Sequence, residues 1–156
     1  MKKIETTLPL SGLKRYEKWK STWKNQEEVD EFSYISSVCY PEDCLIFCKL
    51  LFPDFILVMD SVFLEQKYDQ KNWEQWKKSL NNNRQLIEKT INHTHLYDIF
   101  EENPEDIEDA IFKQIAERVL LSWTLILKKQ FPDRDFHVEI SDSEQDYGPT
   151  VTSYQK

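Results

Sequence analysis

Glycine is nearly absent from this 156-residue chain: only Gly12 and Gly148 occur. Phosphate-cradling loops, G-x-G-x-x-G dinucleotide turns and G-x-S-x-G nucleophile elbows need closely spaced glycines, because the backbone must approach a ligand or adopt positive φ. None can be built here, which removes the commonest nucleotide and hydrolase chemistries. Cysteine is scarce as well. Cys39, Cys44 and Cys48 do not make a disulfide framework and fit a reducing cytosol. H-E-x-x-H and paired C-x-x-C zinc motifs are missing. No apolar run approaches the ~20 residues of a membrane span, and no secretory-length stretch follows Met1-Lys2-Lys3. The expectation is a cytoplasmic protein that does not contact a membrane and carries no cofactor.

What the chain does have is aromatic bulk and acid. Five Trp, seven Tyr and nine Phe make up 13% of the residues, enough for a real core, and the formal net charge is −8. The charge is unevenly distributed. Residues 1–24 hold seven cations (Lys2, Lys3, Lys14, Arg15, Lys18, Lys20, Lys24) against Glu5 and Glu17, a net of +5 that leaves −13 to residues 25–156. Basic residues interleaved with Tyr16, Trp19 and Trp23 could meet phosphate and stack on bases. The acidic remainder would repel a nucleic acid, so the rings read instead as the apolar face of a docked helix.

Hydrophobic spacing predicts a helix-rich α+β protein. After a loosely ordered segment 1–12, residues 13–156 are expected to form one globular domain. Helices are predicted over Leu13–Lys24 and Glu27–Val38. Pro41-Glu42-Asp43 opens a third, proline at the first position and acids at the positive dipole end. That helix, through Phe52, is almost wholly apolar and should be buried. Phe55–Val58 and Val62–Leu64 read as a strand pair, the first hairpin, over about 55–65. Asp69 or Asn72 caps a helix carrying Trp73, Trp76 and Leu80; Asn81-Asn82-Asn83 turns into another helix running from Leu86 toward Phe100. Asn103-Pro104-Glu105-Asp106 starts a long central helix, about 105–130, expected to be covered on several sides. Alternation over Phe136–Ile140 predicts a strand, and Thr150–Tyr154, after an acidic turn, its return strand, a second hairpin over about 136–154. The two hairpins together supply a small, mainly antiparallel sheet packed on helices. The Pro-Glu-Asp start and Phe-Pro-Asp stop each occur twice, which suggests a remote duplication or plain helix punctuation.

Candidate sites are few. Cys44 and Cys48, one helical turn apart, invite a metal with Cys39 and the histidines, but inside an apolar helix they read as core cysteines; no metal site is expected. His93 and His95 offer imidazoles near neutral pKa and are the catalytic candidates, with Glu139, which alternation places beside His137. Asp142, Glu144 and Asp146, with Tyr147, form an acidic turn. It departs from a calcium loop in its glycine and twelfth position, and reads as a solvated hairpin turn, with a contact surface for a basic partner as the alternative. The leading reading is therefore a non-catalytic acidic protein-binding module, as in bacterial immunity proteins that mask a basic toxin. The alternatives are a small enzyme using His93 or His95 as acid and base, and a homodimeric interaction protein.

Overall fold

The computed structural model describes residues 2–102, 107–142 and 147–156. The helix start expected at Asn103-Pro104-Glu105-Asp106 lies outside the described residues, as do Glu144 and Asp146. The chain divides into two units, residues 1–48 and 49–156.

In the first unit, α1 (Lys14–Lys20) stops well short of Lys24, and α2 (Glu31–Val38) starts later than apolar spacing suggests. Asp30 is the reason for the late start. Its carboxylate accepts from the Ser33 N–H while the Ser33 hydroxyl faces the Asp30 N–H, a reciprocal cap that fixes the helix boundary. The hydrogen bonds from Ser33 hold the Asp30 carboxyl below its ordinary value. Tyr16 and Trp19 of α1 pack edge-on against Tyr34 of α2, with ring centroids 5.5 and 5.1 Å apart. Helix α3 (Pro41–Leu51) has the expected bounds but not the expected burial. Leu45 and Ile46 are 70% and 75% exposed, and Phe32 of α2 is 79% exposed. Apolar composition predicted burial, and the middle turns of α3 do not have it. The cysteines follow suit: all three thiols are free, Cys39 and Cys44 half-buried and Cys48 exposed, so none is a core residue. Burial and the neighbouring Cys44 push the Cys39 thiol up.

The second unit is built around two antiparallel hairpins and one long helix, the α+β architecture expected. Strands β1 (Phe55–Val58) and β2 (Ser61–Leu64) pair from Phe55–Leu64 to Val58–Ser61 across a two-residue turn. Met59 adopts φ 54° in that turn. Helices α4 (Gln70–Ser79) and α5 (Arg84–Ile91) follow, capped by Asp69 and Asn83. Asn81 and Asn82 make the turn between them in the left-handed region that asparagine tolerates. Helix α5 ends at Ile91 instead of continuing to Phe100. Thr94–His95 becomes strand β3, and a short helix α6 (Leu96–Ile99) follows. Helix α7 covers Asp109–Gln130, 22 residues, about 33 Å long. Strands β4 (Phe136–Ser141) and β5 (Thr150–Gln155) close the second hairpin, and β3 adds to its far edge in the order β3-β5-β4.

The core lies between α7 and the strands. Phe112, Ala116, Val119, Trp123 and Leu127, at spacings of three and four, form one buried stripe against Val62, Leu64, Leu96 and Val151. The expectation that α7 is covered on several sides fails on its other face, where Leu125 is 61% exposed. Trp123 donates its indole N–H to the Leu50 carbonyl at 2.8 Å, and Ser122 donates to the Leu51 carbonyl. These bonds satisfy two of the acceptors that the end of α3 leaves open. On the opposite face of β2, Phe63 packs with Ile87 and Ile91 of α5.

The hairpins are separate sheets, and two side chains, one from α5 and one from the residue that ends it, stand between them. Glu88, fully buried, accepts from the Val62 N–H at 2.8 Å and the Gln155 N–H at 2.6 Å. It also accepts from the Gln155 side-chain amide at 2.6 Å. One turn on, Asn92 accepts from the Leu64 N–H at 2.9 Å and donates to the carbonyls of Val62 (3.0 Å) and Ser153 (2.9 Å). Glu88 and Asn92 thus serve as rungs where β2 and β5 would otherwise have to bond each other.

Candidate functional site

Pleating sorts the three-stranded sheet into two faces. Phe136, Val138 and Ile140 of β4 pack toward the α7 core. The other face carries His137, Glu139 and Ser141, paired in register with Tyr154, Thr152 and Thr150, and His95 of β3 opposite Thr150. His93 joins them, its Nδ1 2.9 Å from the Thr152 hydroxyl. All three histidines of the chain therefore stand on one sheet face with Glu139.

They form two groups. In the first, Glu139 is engaged by Lys89 of α5 (2.7 Å), by the Tyr154 hydroxyl, which donates at 3.0 Å, and by His137 (3.5 Å). Burial would push the Glu139 carboxyl up, but the bonds from Lys89 and Tyr154 and the Lys89 charge outweigh it and hold it below its ordinary value. The bond to Glu139 raises Lys89 in turn, and burial with the same bond raises Tyr154. The Lys89 ammonium also sits 4.6 Å from the Tyr154 ring centroid. This is an ionised, anchored carboxylate, suited to holding the sheet to α5 and poorly suited to accepting a proton at neutral pH. Because its folded value lies below the unfolded one, the stabilisation is present above about pH 4.5 and fades as pH falls through the folded value. Glu139→Gln should flatten the acid limb of a stability–pH curve, by no more than about 1 kcal/mol for so partly exposed a pair. Chemical denaturation between pH 3 and 6 reads this, and parallel curves for the two proteins would refute it.

In the second group, the His93 and His95 rings meet edge to face at 4.7 Å, and the His95 ring stacks on Tyr147 at 4.4 Å with 5° between planes. The Tyr147 hydroxyl donates to Asp98 at 2.6 Å, which raises its pKa. The stack leads into a cleft of about 460 Å³ lined by Tyr97, Asp98, Glu101, Ile107, Asp109, Phe112 and Tyr147. Helix α6 supplies Tyr97 and Asp98, and the Leu96 N–H bonded to the Pro149 carbonyl at 3.1 Å fixes α6 against the start of β5. Tyr97 donates to Asp109 at 2.5 Å; that bond and burial push its pKa up to about 12. Three carboxylates and no cation line the cleft among the described residues.

Of the residues singled out in the sequence, Tyr147 lines this cleft, and Asp142 pairs with Lys113 at 2.7 Å. His93 and His95 sit beside it, and Glu139 belongs to the Lys89 group. Tyr97, Asp98, Glu101 and Asp109 went unremarked in the sequence. The one signal available was the interleaving of tyrosine and acid between Leu96 and Glu102. Among the described residues, no three His, Cys, Asp or Glu side chains come together as a metal ion would need. No helix among them is long and apolar enough to cross a membrane. Comparison with known proteins returned no matching family model, no matching curated protein and no matching solved structure.

Proposed function

We propose that the protein is a non-catalytic acidic module that binds a basic partner protein through the cleft between α6, α7 and Tyr147. Asp98, Glu101 and Asp109 line it without a cation among the described residues, while Tyr97 and Tyr147 anchor two of those carboxylates and provide ring faces. That combination carries the reading. An arginine or lysine entering the cleft would gain charge-assisted hydrogen bonds and an aromatic wall. Complementary charge would speed encounter and select the partner. An inhibitor of the immunity type, masking a basic surface, is one form such a module takes. The exposed Phe32, Leu45 and Ile46 add apolar area of the kind protein contacts use.

The test is a tagged pull-down from lysate of the source organism at low and at moderate salt, comparing wild type with the Asp98→Asn, Glu101→Gln, Asp109→Asn triple variant. The triple variant keeps side-chain volume and tyrosine acceptors, and circular dichroism checks its fold. A basic protein enriched by wild type, released as salt rises and bound at least about tenfold more weakly by the variant, is expected. The same proteins captured by both, or none by either, would overturn the reading.

A further inference from the structure

A second cavity, of about 510 Å³, lies on another side of the same unit, where the β1–β2 turn faces α4 and the start of α5. Its walls include Val58, Met59, Trp73, Lys77, Arg84 and Ile87. This volume is in the range of small-molecule sites, and the wall chemistry is mixed in the way such sites are: aliphatic and indole surface with a few charged groups. The cations are the unusual part. Acids outnumber bases 28 to 20 in the chain, yet Lys77 is half-buried and has no carboxylate partner among the described residues. Its ammonium lies 3.7 Å from the Met59 sulfur and 4.9 Å from the Trp73 ring centroid, contacts that hold the side chain in place without neutralising it. Arg84, exposed at the rim, also makes no ion pair among the described residues. Asp60 is the one acidic side chain on the wall among the described residues; it is 83% exposed and lies 4.0 Å from Arg134, while Lys156 is paired with Asp135. Asn83 is occupied as the α5 cap, accepting from the Leu86 N–H. The Lys77 stem lies along the wall while its ammonium stays at the open edge with no carboxylate on it among the described residues, so it is available to an anion entering the cavity.

We infer that this cavity binds a small organic anion, with an apolar ring against Val58, Trp73 and Ile87 and its phosphate or carboxylate between Lys77 and Arg84. Met59 takes part in this arrangement: held in the β1–β2 turn at φ 54°, it has its thioether beside the Lys77 ammonium at the cavity edge. The site is separate from the acidic cleft and selects the opposite charge.

Phenyl phosphate, phenyl acetate and inorganic phosphate are the probes, titrated into the full-length ¹⁵N-labelled protein. The indole N–H of Trp73, assigned with Trp73→Phe, and the amides of Met59 and Gln85 are the reporters. Saturable shifts confined to these residues are expected with phenyl phosphate, weaker ones with inorganic phosphate, and none with uncharged phenyl acetate. Lys77→Gln should weaken phenyl phosphate about tenfold, and Arg84→Gln, at the rim, about threefold. Both changes are on surface-accessible side chains, so an unaltered spectrum elsewhere certifies the fold. No saturable shift at Trp73, equal response to phenyl acetate, or undiminished affinity in both variants would overturn the inference.

Discussion

Replacing Glu88 with alanine should remove about 4 kcal/mol of unfolding free energy, a large share of the 5–15 kcal/mol that typically holds a domain together. Three donors converge on this carboxyl group: two backbone N–H groups from different sheets and the Gln155 amide. Truncation leaves the two backbone N–H groups without an acceptor in a place where the side chain is fully buried, while the Gln155 amide keeps only its bond to the Asp60 carbonyl. Each orphaned donor costs about 1–3 kcal/mol, and water entering the gap would recover part of that. Glu88→Gln keeps the volume and one acceptor but turns an N–H toward a donor, so an intermediate loss is expected. Urea unfolding of the three proteins measures the series. A loss below about 1 kcal/mol for alanine would mean the rungs are not what joins the hairpins.

The next largest effect belongs to Gly148. It sits at φ 84°, in the region that favours glycine, and the face of the Tyr97 ring lies directly over it. A Cβ built there would fall 2.5 Å from the ring's Cζ. The ring cannot simply retreat, since Phe112 backs it at 4.5 Å and Asp109 holds its hydroxyl. Gly148→Ala should therefore destabilise by about 3 kcal/mol, combining left-handed backbone strain with displacement of a packed ring. A second readout is specific to the cleft. The Tyr97 phenol, raised to about 12 in the folded protein, should titrate closer to its ordinary value once Asp109 is lost. Because the folded value is the higher one, the wild type keeps this contribution below pH 10 and loses it as pH rises toward about 12. An alanine variant with unchanged midpoint and unchanged alkaline titration would show that the ring accommodates a methyl group freely.

How legible this was in the sequence depended on whether a residue's role is local. The cap at Asp69, one of two the sequence offers, the asparagine turn before α5, the proline start of α3 and the alternation of β4 are written in neighbouring residues and were readable from them, though the capping role of Asn83 was not. Burial of α3 was misread because its apolar residues show only that the segment could be covered, not that anything covers it. The stop of α5 at Ile91 was missed for a related reason. Asn92 and Thr94 could extend a helix locally, but Asn92 bonds strands 30 and 61 residues away and Thr94 pairs with Val151. Glu88 was the hardest to see: a glutamate on a helix reads as solvated, and only partners 26 and 67 residues distant make it internal. The acidic cleft was half legible. Tyr147 was marked by its acidic neighbours, whereas Asp98 and Asp109 become one site only when α6 folds back beside α7.

The rungs on α5 have a further consequence. The side of β2 away from β1, and the stretch of β5 beyond β3, are strand margins whose amides and carbonyls would be open to another extended chain. Glu88 and Asn92 occupy these positions at Val62, Leu64, Ser153 and Gln155. One eight-residue helix and its C-terminal cap residue, Asn92, therefore shield two sheet margins. Any excursion that lifts α5 uncovers both together, each flanked by apolar side chains such as Phe63 and Val151, and self-assembly into aggregates would begin there.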